Sequence, residues 1–500
     1  MREPESLYSV LQQQESSSEE RPQSGCLLQR PLQSLNRPGI GQVTIDVLPD
    51  DALLEIFDFY KDDLLYHTLA MSLTWRCITM AQVCRRWRNI IFGSPRRLDL
   101  RVVCTNTTPT RASLGIWPPF PIDVYCERMH CHGAVDEKGS SNIIAALEHH
   151  DRISEVHIRD IDGSALEKLA AVMDEPFPAL RYFYLSSSSS FGVSVSIVPE
   201  KFLVGSAPRL RTFILSGIPF LSFPKFVFSA TRIESLAFLD IPNSGYISPE
   251  VMTTSLAALP NLRLLSIGFR SPLSRPIQIR RPLLTRSVLP SLTRLLFHGV
   301  SEYLEDFVAR IDTPLLKQLS VVLFMDLVFH IPRLHDFIRH TEGLMPCNQA
   351  YMEFTGTMTK IILGSPARFE MEVRCERPDW QLSSMTQIFS QQLPLLSHVE
   401  QLELRESSWP KWNDEPDMDS SLWLELFHLF IAVQSLYVSK ILAPPVTAAL
   451  RELGEGRTME VLPALKNLSL EGHQPAKSIQ SFVASRQLSG HPIVIQNWEQ

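Results

Sequence analysis

Cysteine is scarce in this chain of 500 residues. There are eight (Cys26, Cys77, Cys84, Cys104, Cys126, Cys131, Cys347 and Cys375), and they show no framework spacing. That excludes a disulfide-stapled secreted domain and implies reduced thiols. No apolar run reaches the roughly 18 residues of a membrane helix. The opening Met-Arg-Glu-Pro-Glu-Ser, which leads into the polar run Gln12 to Glu20, contains no apolar core of the kind a secretory signal needs. An excess of positive charge is also missing: the formal net charge is −7, which gives no drive toward nucleic acid or an anionic membrane. Finally, no phosphate loop, dinucleotide fingerprint, His-Glu-x-x-His or Gly-x-Ser-x-Gly occurs, so no local catalytic signature is present. These absences lead us to expect a cytoplasmic or nuclear protein with no cofactor, no nucleic-acid partner and no membrane partner, although an active site assembled from distant residues would carry no local motif.

What the chain does contain is a globular composition, 44% hydrophobic and 20% charged, in a length that exceeds one compact core. Several domains or a repeat architecture are therefore expected. Residues 1–41 are rich in Ser, Gln, Glu and Pro and read as a disordered tail, because they cannot bury enough surface to offset the entropy of ordering. Residues 42–95 read as a helical module. Its first helix starts at Leu48-Pro49-Asp50-Asp51, where proline and two acids suit a helix N-terminus, and carries Leu53, Ile56, Phe57 and Tyr60 at one-face spacing. The second carries Met80, Val83, Cys84, Trp87 and Ile91 and stops at Gly93-Ser94-Pro95. Seven acids and one lysine lie between Gln42 and Leu65, against six arginines and one aspartate between Val83 and Arg101. Opposite signs so close in sequence predict two helices that lie against each other, and argue against a nucleic-acid patch.

The opening Leu-Pro-Asp-Asp-x-Leu-Leu-x-Ile-Phe followed by Val-Cys-Arg-Arg-Trp-Arg resembles an F-box, the module by which substrate receptors of cullin-RING ubiquitin ligases hold the Skp-type adaptor. The continuation Phe92 to Leu100 is similar to a family of fungal F-box-like proteins. The connection between the two halves is longer than that family usually has. The resemblance implies that Leu48, Pro49, Leu53, Ile56, Phe57, Val83, Cys84 and Trp87 form the adaptor-binding surface and its supporting core. The alternative for this segment is a helical hairpin of no special purpose.

Beyond about residue 150 a repeat emerges, Pro-x-Leu-x-x-apolar-x-apolar. It occurs at Pro178 to Leu185, Pro208 to Leu215, Pro260 to Ile267, Pro290 to Phe297, Pro314 to Val321 and Pro463 to Leu470. Copies without the proline begin at Ile153, Ile233, Val399 and Val433, and helical patterns fall between copies. Successive copies lie mostly about 23 to 34 residues apart, overlapping the roughly 20–29 of leucine-rich repeats. The expected fold class is α/β: an N-terminal helical F-box, then an irregular leucine-rich-repeat-like solenoid over 96–500 that resembles a leucine-rich-repeat horseshoe. From about 325 to 395 the rhythm breaks. Strand-like segments at Tyr351–Phe354, Lys360–Leu363 and Phe369–Val373 come close together and predict hairpins, as an insertion or an irregular repeat.

Three smaller features carry expectations. Cys126, His130, Cys131 and His132 offer soft ligands, but no second pair follows, so a strand end with a polar loop is expected rather than zinc. His330, His335 and His340 recur at a spacing that is neither helical nor strand-like, which predicts surface positions. Trp409 and Trp412 stand on a polar loop and form a possible partner-binding loop, with packing onto neighbouring repeats as the alternative. Taken with the resemblance, the chain reads as the substrate-recognition subunit of an SCF-type (Skp-cullin-F-box) ubiquitin ligase. It would contact a Skp-type adaptor, through it a cullin-RING ligase, and an unidentified target protein. An interaction scaffold that never joins a ligase is the alternative, and an enzyme with a non-local site is a distant third.

Overall fold

A computed structural model describes residues 47–62, 83–93, 100–104, 110–111, 114, 121–126, 137–187, 198–272, 286–324, 329–344, 347–364, 368–390, 395–407, 420–453, 457–472 and 479–498. The chain divides into two compact units, residues 1–103 with 116–122, and 104–115 with 123–500. The expected tail 1–41 lies outside the described residues, as does the connection between the two halves of the helical module.

The first unit contains α1 (Asp50–Asp62), α2 (Arg85–Gly93) and the short strand β1 (Leu100–Val103). Pro49 precedes α1, and its carbonyl accepts the first helical bond from Leu53 N–H at 3.1 Å. Asp50 and Asp51 then sit in the first turn, where negative charge meets the positive end of the helix dipole. The buried face of α1 is Leu53, Leu54 and Phe57, and α2 buries Ile90 and Ile91. The one-face stripe is not covered along its whole width. Ile56 and Val83 are not on the buried stripe but are exposed, at 44% and 56%. Of the two described helices, each buries one narrow strip against the other, and side chains one position off it stay wet.

The second unit is mixed α/β, built on a large, mostly parallel sheet that does not close into a barrel. Its early strands are β2 (Ile122–Cys126), β3 (Ile153–Ile161), β4 (Tyr182–Ser187), β5 (Thr212–Ser216), β6 (Ser235–Ile241) and β7 (Leu264–Phe269). They continue with β8 (Ser287–Val288), β9 (Arg294–Gly299), β10 (Ile311–Asp312), β11 (Gln318–Phe324), β12 (Gln349–Phe354), β13 (Met358–Leu363) and β14 (Phe369–Arg374). Last come β15 (Gln401–Glu406), β16 (Ser435–Val438), β17 (Asn467–Glu471) and β18 (Val494–Trp498). From β2 onward the order is β2-β3-β4-β5-β6-β7-β9-β11-β14-β13-β12-β15-β16-β17-β18, while β8 and β10 pair separately. The helices between strands are α3 (Glu137–Leu147), α4 (Gly163–Val172), α5 (Phe223–Val227), α6 (Pro249–Leu256) and α7 (Ser301–Val308). They are followed by α8 (Pro332–His340), α9 (Pro378–Ser390), α10 (Ser420–Phe427), α11 (Ala443–Arg451) and α12 (Gln480–Leu488). Consecutive helices pack on each other, as α6 does on α7, α7 on α8 and α10 on α11.

The repeat has a local cause. In each Pro-x-Leu copy the proline takes the second position of a β-turn, whose closing bond runs from the leucine N–H to the carbonyl before the proline. Examples are Leu180 to Phe177 (3.2 Å), Leu210 to Ala207 (3.2 Å), Leu262 to Leu259 (3.2 Å) and Leu465 to Leu462 (3.0 Å). Proline's fixed φ suits that position, and its missing N–H costs no bond there. The turn aims the following strand, and the apolar residues of that strand fall into register. Phe183 pairs with Phe213, Phe213 with Leu236, Leu236 with Leu265, Leu265 with Leu295 and Leu295 with Leu319. All of these are buried, forming one apolar ladder on the side where α7 meets β9 and α9 meets β13 and β14.

The irregular section continues this sheet. After β11 the chain passes through α8 and enters β12 three places away. It then turns back through β13 to β14, which takes the place beside β11. Only the β12–β13 and β13–β14 pairs are antiparallel among the described pairings of this sheet. The ladder survives the reversal: Leu319 meets Phe369, Phe369 meets Leu363, Leu363 meets Ala350 and Ala350 meets Leu402. Buried Gln381 of α9 secures the hairpin by donating from Nε2 to the carbonyls of Thr355 (2.9 Å) and Cys375 (2.7 Å).

Candidate docking surfaces

The helix pair is held by two contacts from the residues marked in the sequence. Phe57 and Trp87 meet edge to face with ring centroids 4.8 Å apart. Arg86 donates to Asp50 Oδ1 at 2.7 Å and also to the Leu48 carbonyl, so one guanidinium ties α2 to the start of α1. The opposite charges of the two halves thus do lie against each other. Cys84 Sγ accepts the Trp87 N–H at 3.4 Å, turning the chain into α2. The eight marked residues therefore divide. Leu53 and Phe57 are buried; Leu48, Cys84 and Trp87 are half-buried; Pro49, Ile56 and Val83 are exposed. Val47, exposed at 71%, adds a further apolar side chain.

In the second unit, alternation along each strand turns every other side chain away from the ladder onto the opposite face. At the irregular section this face carries charge. Lys360 Nζ stands 3.5 Å from Glu353 and 3.7 Å from Glu370, and Glu370 also accepts from Ser320 Oγ at 3.0 Å. Arg374 pairs with Glu372 at 3.4 Å, and Arg405 pairs with Glu403 while lying over the Tyr351 ring at 5.7 Å. Burial raises the Glu372 carboxyl and, with Glu353, pushes Tyr351 up to about 12. His298 is buried beside Phe324, with ring centroids 4.6 Å apart, and burial together with the Arg374 charge lowers it to about 3. Each of the carboxylates Glu353, Glu370, Glu372 and Glu403 has a cation within ion-pair reach. Lys360 bridges β12, β13 and β14, while the Arg374–Glu372 and Arg405–Glu403 pairs each lie within one strand. On the same face near β3, Tyr125, His157 and Tyr184 stack in sequence at 5.2 and 4.5 Å.

Other marked residues take different places. Trp409 and Trp412 lie outside the described residues, as do His130, Cys131 and His132, while Cys126 is buried on β2. His335 corrects the surface expectation: it belongs to α8 and is buried, because Pro332 starts a helix that turns this position inward. Among the described residues, no group of three or more His, Cys, Asp or Glu side chains could hold a metal, and no helix is long and apolar enough to cross a membrane. A cleft of about 400 Å³ between α7, β10 and α8 is lined by Asp312, Arg333, Asp336 and Thr313 among others. Cys84, Cys347 and Cys375 are free thiols. Compared with known proteins, the chain matches no family model and no curated sequence.

Proposed function

We propose that this chain is a non-enzymatic substrate receptor of an SCF-type ubiquitin ligase. The helix pair docks a Skp-type adaptor, and the strand–helix repeats form a leucine-rich-repeat-like solenoid that holds a target protein. The observation that carries this reading is the division of labour in the helix pair. Leu53, Phe57 and Trp87 close its core while Pro49, Ile56 and Val83 leave apolar side chains in water. These exposed apolar side chains are available to a partner. The rest of the chain supplies a broad sheet face bearing fixed charges and rings, which suits protein recognition. A receptor of this kind accelerates ubiquitin transfer by raising the local concentration of target lysines, and needs no nucleophile of its own. Free cysteines fit a reducing compartment, cytosol or nucleus.

The test is capture of a purified Skp-type adaptor by the full-length chain. Ile56→Asp and Val83→Asp should each abolish capture while leaving the circular dichroism and melting temperature of the chain unchanged, because both positions are exposed in the free protein. A charge buried at an interface costs several kcal/mol, roughly a thousandfold or more in affinity. No capture by the unmodified chain would instead favour a scaffold that joins no ligase.

A further inference from the structure

The residues that follow the Pro-x-Leu turns, and their counterpart Glu234, form a row of their own. Backbone bonds link them strand to strand: Arg181 N–H to Ser154 O (2.7 Å), Arg211 to Arg181 (2.8 Å), Glu234 to Arg211 (2.8 Å), Arg263 to Glu234 (2.7 Å), Thr293 to Arg263 (2.9 Å) and Lys317 to Thr293 (2.9 Å). From Arg181 to Lys317 the row follows the starting ends of β4, β5, β6, β7, β9 and β11. Neighbouring strands lie ~4.8 Å apart, so it spans ~24 Å. Arg181, Arg211, Arg263 and Lys317 are all exposed. The one acid, Glu234, meets Arg211 at 3.6 Å, and no described carboxylate pairs with the other three cations.

A second observation comes from the next residues inward. Tyr182, Thr212, Ser235, Leu264, Arg294 and Gln318 stand in register. Arg294 is half-buried, its Nη1 is enclosed without a hydrogen-bond partner, and no described acid pairs with it. Partial removal of a guanidinium from water with no counter-ion destabilises the fold, so folding alone gives no reason for it. An anion laid against the half-buried guanidinium would supply the missing counter-charge.

We propose that this row is the anion-reading edge of a protein-docking surface, and that it takes an extended Asp- and Glu-rich segment of a partner protein laid across β4 to β11. At ~3.3 Å per residue the row accommodates ~7 residues of extended chain. A long polyanion such as nucleic acid is disfavoured, because it extends past the row and lies over the remaining surface of a chain of net charge −7, whereas a short acidic segment stays on the row and charges beyond the ~8 Å Debye length are screened from it. The inference rests on the reading of the sheet as the target-holding part, but it requires no adaptor contact.

The experiment measures fluorescence anisotropy of a labelled peptide of about eight alternating glutamates and serines with the full-length chain. The quadruple variant Arg181→Glu, Arg211→Glu, Arg263→Glu and Lys317→Glu should weaken binding at least about tenfold, and added salt should weaken the unmodified chain. A control reversing four exposed cations elsewhere, Lys138, Lys201, Arg339 and Arg451, carries the same net charge change and should bind like the unmodified chain. Melting curves verify that each variant folds. Failure of the unmodified chain to bind the peptide, equal weakening by the control, or tighter row-dependent binding of a single-stranded oligonucleotide would each overturn the proposal. Adaptor capture is read in parallel. The quadruple variant should still capture adaptor and Ile56→Asp should still bind peptide, so failure of one reading is told apart from failure of the other.

Discussion

Glu305 of α7 caps the next helix of the row: its carboxylate accepts the backbone N–H of Leu334 at 2.8 Å and of Arg333 at 3.0 Å, at the start of α8. The helix has no side-chain cap of its own, since Ile331 occupies the N-cap position. A neighbour therefore supplies what the local sequence lacks. Burial raises the Glu305 carboxyl above its usual range, against the lowering effect of the two N–H groups. Glu305→Ala should cost about 1–2 kcal/mol, read as a drop in melting temperature. Glu305→Gln keeps an oxygen acceptor without the buried charge and should lose much less. Equal losses for the two would show that the cap is unimportant.

The C-terminal repeat depends on a buried cation. Arg486 of α12 is fully enclosed and donates to the carbonyls of Thr458 (3.2 Å), Leu462 (3.1 Å), Pro463 (3.2 Å) and Leu465 (3.2 Å), closing the turn that launches β17. Arg486→Leu orphans these acceptors and should destabilise by about 3 kcal/mol. Arg486→Lys should recover only part, since one ammonium cannot span the fork. Denaturant titration with full recovery by lysine would contradict this account.

Acid should weaken the sheet through His298. Its folded value, lowered to about 3, lies below the ordinary 6.5 of the unfolded chain. The unfolded state therefore takes up a proton first. The stability contributed by the neutral ring is fully present above pH 6.5 and is lost progressively as pH falls toward 3. At pH 5 the loss amounts to about 2 kcal/mol. His298→Leu should flatten the melting temperature between pH 6.5 and 5 relative to the parent, and an unchanged slope would refute the assignment.

Gly343 permits a close approach of backbones. A Cβ added there would lie 2.1 Å from the Leu316 carbonyl oxygen, within the turn before β11. Gly343→Ala should cost about 1–3 kcal/mol by thermal melting; a neutral result would show that the turn shifts freely.

All eight cysteines should alkylate in denaturant without reductant, as counted by mass. In the native protein Cys347 and Cys375 should react slowly, because both are buried and burial raises their thiols. Two protected pairs would contradict the reducing compartment and the ligase reading with it.

Much of the second unit is legible in the sequence, because its signals are local. Proline at a turn position and apolar residues at alternate strand positions specify where a strand starts and which side is buried. Thus β4, β5, β7, β9, β11 and β17 lie where the Pro-x-Leu copies put them. The hairpins of β12 to β14 were legible from their close spacing for the same reason. The basic row was also present in the sequence, as Arg181, Arg211, Arg263 and Lys317 each following a Pro-x-Leu, but its meaning required knowing that these positions become neighbours. Only tertiary structure decided that β14 takes the place beside β11, since strand order depends on which edges meet after the chain has turned twice. It also decided which of Leu53, Ile56, Phe57 and Val83 are core and which face water, because a helical stripe is wider than the strip one partner helix can cover. The cap that Glu305 lends α8 and the carbonyls gathered by Arg486 belong to the same class: they join residues 20 to 30 positions apart, and no local pattern records such a contact.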